Sequence, residues 1–341
     1  MNWKVALILA VTAGFLVVVL WGLDLDTARA DVRGFAWWVI VPSCACYFGS
    51  HLCRCWRMRI LLDRPLGLGR LLVVNSIGFL AINVVPLRLG EFVRPWLFFE
   101  QDRIPFGESL AAVFVERLLD VLMLLVLLLL VGLLVPIPPE GVRIHGVDVL
   151  EGGIRMALAL LGVGALASIA VVVSKESAIR WFTRPVAWFS PSLAGRIASL
   201  LRSFRLHVAT LARRPVRAIL VLGLSAATWA CTIAGVRFVY LGTDFAGLGF
   251  RAATINWGIT LAAMTAVPTP GFFGPYEAAS SAALRLVGLD ADHAVTLAVI
   301  THVGQFGFTV AVGMIFLVGA GLSLREVVRR SQAAGRDVAG R

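Results

Sequence analysis

Long stretches without Asp, Glu, Lys or Arg alternate along this chain with short polar ones, and their length dominates any amphipathic period. Such runs occupy Val5–Leu23, Phe35–Leu52, Val121–Val135, Met156–Val173 and Ala294–Leu322. Several approach the roughly 20 residues that cross a hydrocarbon core as a helix. Backbone polar groups in lipid must be satisfied within the segment, so helices are expected. About six full spans follow: Val5–Leu23, Phe35–Leu52, Glu108–Val135, Met156–Val173, Ala218–Leu241 and Ala294–Leu322.

Two apolar segments do not read as spans. Leu71–Pro86 is interrupted by Asn75 and Asn83, stopped by Pro86, and followed at once by Arg88, Glu91 and Arg94. The second runs from Asn256 to Pro268 and on through Pro270, Gly271, Gly274, Pro275 and Glu277, too many prolines for one straight helix. Both are expected as re-entrant helical hairpins, whose irregular backbone needs cover by protein or a wet cavity. The fold class predicted is an all-α polytopic membrane protein with about six spans and two such hairpins. Residues 1–322 form one transmembrane domain, whose halves, about 1–135 and 154–322, each hold three spans and a broken segment. An odd number of crossings inverts the second half, the inverted-repeat design of many secondary transporters.

Composition agrees: 59% of the 341 residues are apolar and 15% charged, with a mean hydropathy of +0.88. The net charge of +11 reads as topology rather than as nucleic-acid binding. Arginines gather at Arg54, Arg57, Arg59, Arg64 and Arg70, in a basic loop over residues 174–216, and in a tail over 323–341, marking those as cytoplasmic faces. Both termini are then cytoplasmic, in a bacterial inner membrane. The N-terminal apolar run exceeds the roughly 7–15 residues of a signal peptide's core and is expected to stay as a span. Arg196, Arg202, Arg205 and Arg213 alternate with Leu200, Leu201, Phe204 and Leu211, giving either a helix on the anionic inner leaflet or a solvated linker. Cys44, Cys46, Cys53 and Cys55 share one helix with His51 and lack zinc spacing, so buried thiols are expected and no metal. No cofactor is implied, and no G-x4-G-K-[ST] loop is present to bind ATP.

Charge inside a membrane segment is costly, which makes each such residue a candidate for function. After Pro86, Arg88, Glu91 and Arg94 would share a helix face, a carboxylate between two guanidiniums suited either to a phosphate or to a structural ion pair. Glu116, Arg117 and Asp120 open the third span, and its two carboxylates call for a cation such as Arg88 or Arg94. In the second broken segment Pro270, Gly271 and Gly274 permit a turn, and Glu277 suits the first turn of the next helix as a cap or a contact. His302 and Gln305 are placed to line the same cavity or to make an interhelical hydrogen bond.

The strings N-x7-N-x2-P-x-R-x-G-E-x2-R (Asn75 to Arg94), E-R-x2-D (Glu116 to Asp120) and P-x-P-G-x2-G-x2-E (Pro268 to Glu277) together resemble the transmembrane region of lysylphosphatidylglycerol synthases, the flippase-like domain family. The likeness extends over nearly the whole chain. Phe272 departs from it, standing where family members commonly carry a second glycine. Bifunctional members that the chain resembles add a soluble aminoacyl-transferase domain. The chain ends at Arg341 without one, so aminoacylation is not expected of it. The resemblance implies translocation of a membrane phospholipid or isoprenoid-linked lipid, its anionic or zwitterionic head group held in a polar cavity between the two hairpins. Two alternatives stay open. One is a membrane glycosyl- or phospho-transferase using Asp24 and Asp26. The other is an accessory membrane subunit that recruits a cytoplasmic enzyme; the partners open to the chain are a second copy of itself, as a homo-oligomer, or such an enzyme.

Overall fold

A computed structural model describes residues 23–84, 90–134, 143–144, 147–148, 162–163, 176–267 and 269–330, with isolated residues 14, 17, 159 and 333. The expected spans Val5–Leu23 and Met156–Val173, Pro86, Arg88, Pro268 and most of the tail beyond residue 330 lie outside the described residues. Of the Pro136–Gly153 loop, two short strands are described, Arg143–Ile144 and Val147–Asp148, paired antiparallel.

Among the described residues everything else of regular structure is helical. Helix α1 (Leu25–Gly34) starts at Asp24, whose carboxylate accepts from the backbone N–H groups of Asp26 and Thr27. A 3-10 turn, Trp37–Val39, leads into α2 (Ile40–Leu62), followed by α3 (Leu68–Val84), α4 (Val93–Asp102) and α5 (Phe106–Leu134). Next come α6 (Glu176–Phe189), α7 (Pro191–Ala212), α8 (Pro215–Tyr240), α9 (Phe250–Ala266), a turn at Pro270–Phe272, α10 (Pro275–Leu286) and α11 (Ala291–Gly319).

Among the described residues α5, α8 and α11 are long and apolar enough to cross a membrane. Leu129, Leu133, Ile219, Ile315 and Val318 stand exposed on them, a liability in water but the face a lipid solvent requires. Helix α2 departs from expectation. Its apolar half runs on without interruption through Arg54, Arg57 and Arg59 to Leu62, because nothing between Cys53 and Leu62 breaks a helix. It ends at Asp63, which takes a left-handed φ of 50° two residues before Pro65. The basic loop is largely helical too: α6 packs on α7, with Ile179, Ala194, Ala198 and Phe204 buried and Trp181, Trp188 and Leu206 exposed. Arg214 and Arg217 both reach Asp63, at 3.1 and 2.5 Å, and Arg217 above all holds that carboxyl below its ordinary range.

The chain divides into two compact units that are not its sequence halves. One comprises Met1–Ser50, Leu122–Gly162 and Trp229–Phe308, the other His51–Val121, Val163–Thr228 and Thr309–Arg341. Each unit contains one broken segment. In the second unit α3 and α4 pack together over a core that includes Leu71, Ile77, Leu80, Leu97 and Phe98. Gly90 lies so near the backbone of Ala81 and Ile82 that a Cβ would collide with both. In the first unit α9 packs along α10, with Trp229, Trp257, Tyr276, Leu284 and Leu297 in its core.

Replacing Gly90 with alanine is expected to cost about 1–3 kcal/mol, since backbone rather than a side-chain tip must yield. Gly107→Ala, with open space around it, should leave thermal unfolding in detergent near that of the wild type. Equal midpoints for the two variants would show that the close approach at Gly90 is not required.

Candidate functional site

The buried charges of α2 and α5 meet because their spacings match. Arg54 and Arg57, at i and i+3, share one face of α2, while Glu116 and Asp120, at i and i+4, share one face of α5. Arg57 is fully buried and divides its guanidinium, Nη2 to Glu116 at 2.9 Å and Nη1 to Asp120 at 2.9 Å. Nη1 also donates to the Ser225 hydroxyl of α8 at 3.0 Å. Arg54 stands 3.4 Å from Asp120 and 3.8 Å from Glu116, with its guanidinium over the Phe79 ring.

Helix α4 supplies the third buried cation. Arg94, 1% exposed, donates through Nη2 to the other oxygen of Glu116. Its aliphatic stem crosses α3 at Gly78, where any Cβ would strike Arg94 Cγ. Such a charge in the first turn of a helix works against the helix dipole, so the pairing with Glu116 must offset that cost. Glu91 turns to a different partner, Arg117 Nε at 3.1 Å, and Arg117 also reaches Asp120 at 3.3 Å. Thus Glu91 and Arg94 do not form the sandwich that the sequence raised; Arg94 serves Glu116, and Arg88 lies outside the described residues. Among the described residues four guanidiniums face three carboxylates: Arg54, Arg57, Arg94 and Arg117 against Glu91, Glu116 and Asp120. Several buried donors have no acceptor among the described residues, namely Arg57 Nε, Arg94 Nε and Nη1, and Arg117 Nη2.

The asparagines of α3 serve different ends. Buried Asn75 places its amide nitrogen 3.0 Å from His51 Nδ1, and its own carbonyl oxygen has no partner among the described residues. Asn83 bonds back to Phe79 O within its own helix.

A second cluster lies in the other unit, at the turn between α9 and α10. Pro270, Gly271, Gly274 and Glu277 come together there with His302 of α11. Gly274 N–H donates to Glu277 Oε2 at 2.7 Å, as a third-position carboxylate reaching back to the start of its helix does. Glu277 Oε1 lies 2.6 Å from His302 Nδ1, and His302 Nε2 lies 2.9 Å from Gly271 O. Gly271 and Gly274 have φ of 61° and 94°. Phe272 shares this left-handed region at 62°, which a side chain enters at a cost of about 1–2 kcal/mol. The glycine common in the resembled family would adopt that backbone freely. Asn256 sits apart from the turn's hydrogen bonds, donating to the Tyr240 hydroxyl at 2.6 Å and accepting from Thr260 at 3.0 Å.

Arg54 and Arg57, read from sequence as loop charges, are the largest omission from the expected site. The R-x2-R spacing opposite E-x3-D was the available signal. Asp24, weighed as a metal-binding residue, uses its carboxylate as the cap of α1 and in a 2.6 Å bond from Thr27.

Removing Glu116 leaves Arg57 and Arg94 short of charge, so Glu116→Ala is expected to lose about 3–5 kcal/mol of stability. Glu100→Ala, which breaks an exposed pair with Arg330, should change it by less than about 1 kcal/mol. Thermal melts in detergent compare the two, and similar losses would deny the buried network its structural weight.

No curated protein and no solved structure matches the chain. The family model described as the lysylphosphatidylglycerol synthase TM region matches residues 4–313, a range that takes in both broken segments and every residue of the two clusters. With α5, α8 and α11 able to span a bilayer, the chain is a multi-pass membrane protein that belongs to the lysylphosphatidylglycerol synthase transmembrane-region family, a family of membrane lipid metabolism or transport.

Proposed function

We propose that the chain translocates an anionic or zwitterionic lipid between leaflets and holds its head group at the arginine cluster of α2, α4 and α5. The observation that carries this reading is a surplus of cation among the described residues: four guanidiniums, three of them buried, against three carboxylates, with N–H donors on Arg57, Arg94 and Arg117 that have no acceptor among those residues. Buried polar groups are almost always satisfied, and a guanidinium fork fits the oxygens of a phosphate. A phosphate would supply the missing negative charge and the missing acceptors together, while the lipid tails stay in hydrocarbon. The family match supports a lipid as the source of that phosphate. We place the protein in a bacterial cytoplasmic membrane with both termini inside, following the bias of its arginines. Residues 1–322 act here as one inverted repeat whose broken segments are re-entrant. The transferase alternative is weakened by the capping role of Asp24.

Reconstituted into liposomes, the wild type should move fluorescent phospholipids to the leaflet from which dithionite can bleach them. The double variant Arg94→Met with Glu116→Gln removes the cation together with one charge of its partner, keeping an acceptor for Arg57. It is expected to stay folded yet translocate at least about tenfold more slowly, the cost of losing a charge contact in a low-dielectric site. Equal rates in a folded double variant would sink the assignment.

A further inference from the structure

The Glu277–His302 contact is outside the role just proposed, and its hydrogen-bond inventory is unusually restrictive. Both side chains are buried, 2% and 3% exposed. Gly271 O can only accept, so His302 Nε2 carries a hydrogen. Glu277 Oε2 is occupied by the Gly274 N–H. That leaves Oε1 and Nδ1, 2.6 Å apart, with room for one hydrogen between them. Written as carboxylate and imidazolium or as carboxylic acid and imidazole, the pair contains the same single proton. Without it, two lone pairs would face each other at hydrogen-bond distance, and a net negative charge would remain buried.

Among the described residues no Lys or Arg pairs with either group to hold that charge. The further ionisable groups nearby are phenols: Tyr276, stacked on the His302 ring with centroids 4.1 Å apart, and Tyr47 and Tyr240 beyond it. Phe273 and Phe306 complete the enclosure of the imidazole. Aromatic faces favour a cationic ring between them, so the surroundings suit the proton-loaded pair and offer nothing to the empty one.

We infer that Glu277 and His302 form a proton-binding site whose occupancy latches the Gly271–Gly274 turn and couples proton movement to the transport cycle. The loaded pair ties α11 to both ends of the turn, through Gly271 O and, by way of Glu277, through Gly274 N–H. Release of the proton to water leaves neutral His302 and ionised Glu277 repelling across Nδ1 and Oε1, so one of those ties breaks. The turn is ready to move when released. Three of its residues occupy left-handed φ, Phe272 among them, so the latch holds a conformation that the chain would not keep unaided. The coupling half of this inference rests on the lipid-translocation reading; the proton latch does not.

Two measurements on the full chain in lipid separate them. The first follows the 15N-labelled ring nitrogens of His302 between about pH 5 and about pH 10, a range that brackets ordinary imidazole titration, with His302→Gln used to assign the signal. Hydrogen exchange at residues 271–274 is followed over the same range. The expected result is a single transition in the ring, matched by a fall of about tenfold or more in amide protection at the turn. Glu277→Gln should abolish the pH dependence of that protection. A ring and a turn that keep one state throughout, or that change at different pH, would overturn the latch. The second measurement imposes a pH gradient across proteoliposomes and reads phospholipid translocation. A gradient-dependent rate in the wild type that is lost in Glu277→Gln supports coupling, and gradient-independent translocation overturns it. If the ring and turn titrate together while no phospholipid moves, the latch stands and the translocation reading fails.

Discussion

Burying a guanidinium is tolerable only with carboxylates in geometric register, and much of the second unit is arranged around that requirement. Arg57 is fully enclosed and bridges Glu116 and Asp120. Keeping it there obliges α2 to remain helical beyond its apolar half and obliges α5 to begin early enough to present Glu116 and Asp120 on one face. The same carboxylate, Glu116, draws Arg94 inward, and Arg94 reaches it only because Gly78 clears its path across α3. Gly90 then brings the start of the next segment against the backbone of α3. Two glycines, one on each side of the break, are consequences of one electrostatic demand.

The other unit meets the same problem with far less charge. Its broken segment turns on two glycines, and the interior holds an acid and an imidazole that share a proton rather than a network of full charges. Desolvating such a pair costs less than desolvating separated ions, which suits a turn where, among the described residues, no guanidinium pairs with either group. Among the described residues the two sites therefore differ in kind: one keeps surplus positive charge and unaccepted donors, the other is balanced by a single hydrogen. An anion suits the first and a proton suits the second.

Much of this was legible in the sequence. Run length identified α5, α8 and α11, whose bounds fall within a few residues of the expected spans, because in lipid an uninterrupted apolar helix needs no amphipathic signature. Pro270, Gly271 and Gly274 marked the turn between α9 and α10. Where reading failed, tertiary pairing had overridden a local rule. Arg54 and Arg57 follow an apolar run and so imitate a basic loop, yet carboxylates about 60 positions later hold them inside. Glu91 and Arg94 appeared to be partners by spacing along the chain, whereas each is claimed by a residue of α5. Phe272 departs from the resembled family at a position whose left-handed φ only the backbone reveals, since such a conformation is invisible in a residue that is not glycine. His302 looked like a lone polar residue on a long helix; its significance depends on Glu277, 25 positions earlier.

The central claim is that the surplus donors of Arg57, Arg94 and Arg117 exist to receive the phosphate of a lipid head group. A high-resolution structure of the protein in native lipid tests this most directly. The account predicts a lipid whose phosphate oxygens lie within hydrogen-bond distance of Arg94 Nη1 and at least one other of those donors. Arg94 donors satisfied by backbone carbonyls or ordered waters, with no phosphate beside them, would contradict it.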